Sequence, residues 1–66
     1  MYSELHWERK NLVGMGARQI SDKEFAGYLE LKKDGLRYIF EPVYEANVHP
    51  EESKQCLIRK IERVEG

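Results

Sequence analysis

The dipeptide Asp34-Gly35 constrains the fold of this 66-residue chain more than any other feature. It separates two segments, residues 28–33 and 36–41, in which apolar and polar side chains alternate. A two-residue Asp-Gly turn is typical of a β-hairpin, because both turn residues need positive φ angles. The turn predicts three cross-strand pairs: Lys33 with Leu36, Leu31 with Tyr38, and Leu29 with Phe40.

This register divides the side chains of the hairpin between two faces of a sheet. The face expected to pack in the core carries Leu29, Leu31, Leu36, Tyr38 and Phe40. The face expected to be largely hydrated carries Tyr28, Glu30, Lys32, Arg37, Ile39 and Glu41. A slip of one residue would mix the two sets, so the hydrophobic pattern supports the register that the turn sets.

The first arm of the hairpin also has a helical interpretation. Residues 21–24 match a capping box, and Phe25, Tyr28, Leu29 and Lys32 have helical spacing. Gly27 would cost such a helix about 1 kcal/mol relative to alanine. The hairpin is favoured because it also accounts for Leu31 and for the whole of the following strand.

The N-terminal half is predicted to add a strand before the hairpin. Over residues 12–20, Val13, Met15 and Ala17 alternate with two glycines and an arginine, and this alternation predicts a first strand. A polar turn near residues 21–24 would join this strand to the hairpin. Residues 4–9, in which Leu5 and Trp7 alternate, are compatible with a short extra strand or with a lid over the core.

The C-terminal part is predicted to be an amphipathic helix over residues 50–64. Pro50 suits the first helical position, two glutamates follow it, and either Asn47 or His49 lies near the cap. The apolar stripe of this helix would consist of Leu57, Ile58, Ile61 and Val64. The predicted fold class is therefore α+β, with a three-stranded antiparallel β-meander packed on one C-terminal α-helix (β-β-β-α) in a single domain, residues 1–66.

Composition and charge limit the classes of function. The formal net charge is −1, from 11 basic and 12 acidic side chains, which is not typical of a general nucleic-acid binder. The chain has one cysteine and no apolar run near the ~20 residues of a membrane helix. The first ten residues include acidic side chains and do not resemble a signal peptide. We therefore expect a soluble, cytoplasmic protein.

No catalytic, metal-binding or cofactor-binding motif is recognisable. His6, His49 and Cys56 lack the paired spacing of a structural zinc site. Cys56 is not predicted at a helix N-terminus, where its thiol would be activated. The sequence thus predicts a non-enzymatic protein without a metal, a cofactor or a small-molecule substrate.

Two binding hypotheses remain, and neither rests on a known family. The preferred hypothesis is a protein–protein interface or homodimer that uses Tyr28 and Ile39 with the nearby Gly14 and Gly16, or that uses an edge strand. The alternative hypothesis is a DNA- or RNA-binding module. Its predicted contacts are the basic residues at and near the hairpin tip: Lys32, Lys33, Arg37 and Arg18.

Overall fold

A computed structural model describes residues 6–20 and 26–64, which form a curled, five-stranded antiparallel sheet resembling half of a barrel. The five strands are β1 (Trp7–Glu8), β2 (Arg18–Ile20), β3 (Tyr28–Lys33), β4 (Leu36–Pro42) and β5 (Gln55–Arg63). A short helix, α1 (Arg9–Gly14), follows β1, and a 3-10 turn spans Pro50–Glu52. The strand order is β1-β5-β4-β3-β2, so α1 connects strands at opposite edges of the sheet. Among the described residues, no helix has the length and apolar character required to cross a membrane.

The predicted hairpin is confirmed. Asp34 and Gly35 have φ angles of 53° and 79°, the positive values that this turn requires. The strands pair as the turn predicts, with Lys33 opposite Leu36, Leu31 opposite Tyr38, and Leu29 opposite Phe40. The helical interpretation of the first arm is wrong for Tyr28–Lys33, which is strand β3. The capping box and turn at residues 21–24 lie outside the described residues.

The predicted C-terminal helix, and with it the β-β-β-α arrangement of an α+β fold, is wrong. Residues Gln55–Arg63 form β5, which pairs with β4. Phe40 lies opposite Ile58 while Ile39 lies opposite Lys60, so the ladder contains a β-bulge with one extra residue in β5. The bulge brings Ile58 and Ile61 to the same face although they are three positions apart. A helix produces the same spacing, and the sequence pattern was therefore ambiguous.

The helix-start signals around Pro50 produce only one turn. His49, one of the two residues predicted near a helix cap, caps this 3-10 turn, because its Nδ1 atom accepts a hydrogen bond from the Glu51 backbone N–H at 3.2 Å. The chain becomes extended at Ser53, with φ −62° and ψ 143°. The residues that follow include the β-branched Ile58 and Ile61, which favour a strand over a helix when they pack on a sheet.

The predicted strand over residues 12–20 is wrong for its first part. Residues up to Gly14 belong to α1, and strand β2 begins only at Arg18. The helix ends in a Schellman motif: the Gly16 N–H donates to the Val13 carbonyl, and the Ala17 N–H donates to the Leu12 carbonyl. Gly16 has a φ of 104°, which a glycine adopts without the steric cost of a Cβ atom.

The predicted extra N-terminal strand is present as β1. Trp7 pairs with Cys56 and Glu8 pairs with Gln55, which places β1 at the edge of the sheet beside β5. Trp7 also packs edge-to-face on Phe40, with ring centroids 5.7 Å apart, so it covers part of the core as well. Leu5 lies outside the described residues.

The core lies on the concave face of the sheet, which we call the inner face. Its buried residues are Leu12, Ala17, Leu29, Leu31, Phe40 and Cys56, with Trp7 and Tyr38 packed against them. Leu12 comes from α1 and is fully buried, so this short helix covers part of the inner face. The prediction that a helical stripe including Leu57 and Ile61 covers this face is wrong. Leu57 lies opposite Glu41 on the outer face, and Ile61 lies beside Tyr38 in the sheet.

Candidate protein-binding surface

An open groove lies on the part of the inner face that α1 leaves uncovered. It has a volume of about 180 Å³ and is lined by Trp7, Met15, Leu31, Lys33, Tyr38, Phe40 and Ile58. We call this cavity the inner groove. Strands β3, β4 and β5 supply most of the lining through cross-strand neighbours, and the turn after α1 supplies Met15. Lys33 is the one charged residue among the lining side chains.

Large apolar side chains are exposed in and beside the inner groove. Met15 is 49% exposed, Ile58 is 40% exposed, and Ile61, next to Tyr38 in the sheet, is 52% exposed. Single exposed apolar residues are normal on protein surfaces. Apolar residues that border one concavity are more informative, because such patches often mark binding sites.

Aromatic rings form one wall of the inner groove. Tyr38 stacks on Phe40 with the ring centroids 6.5 Å apart and the planes at 23°, and Trp7 meets Phe40 edge-on. The Trp7 Nε1 atom is buried and has no hydrogen-bond partner among the described residues. Buried tryptophan N–H groups usually find an acceptor. These packed rings offer a firm apolar surface with one unsatisfied donor close by.

The edge of β5 borders the same groove. Strand β1 pairs only with Gln55 and Cys56, so within the described part of the chain the segment from Leu57 to Arg63 has a strand neighbour on one side, namely β4. The backbone N–H and C=O groups on its other side are therefore available to a further strand.

A second, larger cavity lies beside α1, and its charges serve the fold. It has a volume of about 600 Å³ and is lined by Glu8, Arg9, Lys10, Val13, Glu52, Ser53 and Lys54. The Arg9 guanidinium donates to the Gly27, Pro50 and Ser53 carbonyls and to the Ser53 hydroxyl, at 2.6–2.9 Å. Arg9 thus ties three segments together, and its remaining Nη1 atom is buried without a partner in the described residues.

The structure brings together only part of the interface predicted from the sequence. Tyr28 and Ile39 lie on the outer face, but both are buried, at 6% and 8% exposure. The Tyr28 hydroxyl donates to Glu41 at 3.0 Å, and its burial is the main cause that raises the pKa of Tyr28 to about 12. Gly14 ends α1 and Gly16 lies in the turn after it, so neither lies in a strand beside Tyr28. That interface stays a prediction.

The predicted nucleic-acid contacts divide into two kinds. Arg37 forms ion pairs with Glu30 and, at 2.8 Å, with Glu62, and Arg18 lies 3.4 Å from Glu30. Glu30 is buried, and its hydrogen bond with Arg37 is the main cause that holds the pKa of this carboxyl below its usual range. Sequence reasoning treated Glu30 as a hydrated surface charge and missed that it would organise two of the four predicted contacts.

The other two predicted contacts, Lys32 and Lys33, are exposed at the hairpin tip. They lie on opposite faces of β3, because neighbouring side chains in a strand alternate. The predicted basic cluster is thus an ion-paired group around Glu30, whose pKa the charge of Lys32 also helps to lower, together with Lys33 on the opposite face. Nucleic-acid binding stays a prediction.

The described residues contain no group of three or more His, Cys, Asp or Glu side chains that suits a metal ion. Cys56 is fully buried in the core, and this burial raises the pKa of its thiol. A protonated, buried thiol is a packing group, since the thiolate is the reactive form of cysteine.

Comparison with known proteins gives no relative: no family model, no curated protein and no solved structure matches the chain at a significant level. The inner groove and the edge of β5 are therefore the features of the molecule that bear on its function.

Proposed function

We propose that this domain is a non-enzymatic binding module that acts through contacts with another protein, and that the inner groove is the centre of its contact surface. The observation that carries the proposal is the exposure of Met15, Ile58 and Ile61 around a concavity walled by aromatic rings. Covering these side chains would remove apolar surface from water, at about 25 cal/mol per Å². A small domain with a thin core gains stability from such a cover.

The shape and chemistry of the groove favour an extended, apolar segment as the bound element. The edge of β5 offers backbone hydrogen bonds beside the groove, and the rings of Trp7 and Phe40 supply the large anchors typical of interface centres. Lys33 at the rim would favour an acidic or carbonyl-bearing group at one end of the segment. A lone, buried Cys56 is also compatible with a reducing compartment such as the cytoplasm.

The test is capture of binding proteins from an extract on immobilised domain, quantified by mass spectrometry. The variants Ile58→Ser and Ile61→Ser should lose the captured protein, because each replaces an exposed apolar contact. Tyr44→Ser is the matched control, because Tyr44 is 62% exposed but does not line the groove. Circular dichroism must show that all three variants remain folded. Equal capture by all four proteins would refute the groove as the binding surface.

A second candidate function is contact with nucleic acid through the hairpin tip. Lys32 and Lys33 have no ion-pair partner among the described residues, and Arg63 lies opposite Leu36 at the same end of the sheet. Such contacts would weaken steeply as salt rises, because phosphate binding releases counterions. An NMR titration with duplex and single-stranded oligonucleotides at low and high salt tests this, and the absence of salt-dependent shifts at these residues would reject it.

A further inference from the structure

We propose that the partner is a second copy of this chain, bound by antiparallel pairing of the two β5 edges with the two-fold axis at Ile61. This inference rests on the proposed function and names the partner of the same surface. Pairing of a strand with its own copy is self-complementary, as a two-fold symmetric interface requires. It would extend the five-stranded sheet of each copy into one continuous ten-stranded sheet.

The backbone at the end of β5 is oriented for this pairing. The Val64 N–H donates to the Gly35 carbonyl at 2.9 Å, so Val64 directs its backbone groups toward the β3–β4 hairpin. Backbone groups alternate in direction along a strand, and Ile61 and Arg63 therefore direct theirs toward the open edge. Two Ile61 residues placed opposite each other would exchange both N–H···O=C bonds across the axis.

The charges beside Ile61 favour this register over the shifted one, although Arg59 then lies opposite Arg63 of the partner subunit, two positions from the axis. With the axis at Ile61, Lys60 lies opposite Glu62 of the partner subunit, and the reciprocal pair repeats the match. The shifted register that pairs Ile58 with Ile61 of the partner subunit would place Arg59 opposite Lys60 of the partner subunit. Like charges directly opposite each other destabilise a sheet, whereas opposite charges stabilise it.

The apolar surface beside the axis supports the same register as the charges. Ile61 projects from the inner face beside Tyr38 and is half exposed in the single chain. In the proposed dimer the two Ile61 side chains meet on one face of the joined sheet. One contact then covers both the exposed isoleucine and the edge of β5 that is unpaired within residues 6–20 and 26–64.

Charge reversal tests the register directly by sedimentation equilibrium over a wide range of concentration. The wild type should form a reversible dimer. Lys60→Glu and Glu62→Lys should each weaken association by about tenfold or more, since each converts two attractive pairs into two repulsive pairs. An equimolar mixture of the two variants should associate again as a heterodimer, because every acidic side chain of one then faces a basic side chain of the other.

Two further variants separate the interface from other effects. Lys32→Glu changes the net charge by the same amount as Lys60→Glu but lies on β3, and it should leave the dimer intact. Glu62→Lys also removes the ion pairs that Glu62 forms within the chain with Arg37 and, at 3.5 Å, with Lys60, so Ile61→Pro serves if that variant unfolds. Proline is tolerated where an edge N–H faces solvent, and it removes the proposed donor without changing charge.

A wild type that stays monomeric at every concentration, or a mixture that associates no better than its components, would overturn the dimer. Dimerisation that Ile61→Pro leaves unchanged would also overturn this register. The proposed function is judged separately: a monomer that still captures another protein through Ile58 keeps the inner groove as a binding surface for a different partner.

Discussion

Replacement of Arg9 by methionine probes a contact between segments that are far apart in the sequence. Methionine keeps an unbranched apolar stem of similar path and removes the guanidinium. Four acceptors then lose the guanidinium as a donor: the carbonyls of Gly27, Pro50 and Ser53, and the Ser53 hydroxyl. The Pro50 carbonyl keeps one bond, from the Ser53 backbone N–H at 3.3 Å. These groups belong to the turn before β3, to the 3-10 turn and to Ser53, which caps that turn ahead of β5, so the change releases several contacts at once.

Two opposing free-energy terms set how much stability Arg9→Met loses. Hydrogen bonds from a charged donor contribute about 1.5–3 kcal/mol each, although bonds that share one side chain do not add. Against this, no carboxylate among the described residues pairs with Arg9, and burying an unpaired cation carries a desolvation cost that the variant removes. We expect the hydrogen-bond term to be the larger one, so that Arg9→Met lowers the free energy of unfolding by about 2–4 kcal/mol. A domain of this size has only about 3–5 kcal/mol of stability in total.

Urea denaturation followed by Trp7 fluorescence measures the loss, because Trp7 is the one tryptophan and packs on Phe40 in the core. Arg9→Lys should lie between the wild type and Arg9→Met, since an ammonium retains the charge but cannot reach all four acceptors at once. If Arg9→Met lost less than about 0.5 kcal/mol, the desolvation cost would equal the hydrogen-bond energy. The reasoning that Arg9 holds the segments together would then fail.

Three further predictions concern packing and charge. Gly27→Ala should lower the melting temperature sharply, because Gly27 has a φ of 82° and an added Cβ would lie 2.5 Å from a backbone oxygen of the 3-10 turn. The ion pair of Glu30 with Arg37 is lost on protonation, so its contribution to stability should fall as pH drops from about 4.5 through the lowered pKa of Glu30. Glu30→Gln should make the acid dependence of the melting temperature weaker than in the wild type. In urea denaturation, Leu12→Ala should cost about 2–5 kcal/mol, whereas Leu57→Ala, half-buried on the outer face, should cost clearly less.

The sequence was sufficient where local chemistry determines the backbone. Asp34-Gly35 fixed both the turn and the register of β3 with β4, and His49 with Pro50 marked a real helical turn. The end of α1 was also readable in principle, because Gly16 follows Leu12 at the spacing of a Schellman motif and precedes the apolar Ala17. Alternation of Val13 and Met15 with glycines concealed that signal by imitating a strand.

The candidate site was not predictable by the same reasoning, because it depends on how much of the inner face is covered. The inward residues of β3 and β4 were assigned correctly, but a C-terminal helix was expected to cover them. Since that segment is a strand, it extends the face instead, and Ile58 and Ile61 become part of the surface that needs a cover. The inner groove is thus a consequence of one change in secondary structure.

The bulge in β5 gives a direct test of this explanation. Deletion of Arg59 would remove the extra residue and leave Ile58 opposite Phe40 and Lys60 opposite Ile39, so every other side chain would keep its face. We expect the deletion variant to fold with a small loss of stability, since the contact removed is an exposed pair with Glu41 at 3.5 Å.

Deletion of Leu57 from the same strand provides the contrast. The bulge at Arg59 can absorb this deletion only if Ile58 turns to the outer face and Arg59 to the inner face, and a shift on the other side of the deletion would turn Cys56 away from the core. NMR spectra show which of the two deletion variants folds. A well-dispersed spectrum for the Arg59 deletion and a collapsed one for the Leu57 deletion are expected. Unfolding of both variants would show that the bulge itself is required, because it supplies curvature that the half-barrel cannot lose.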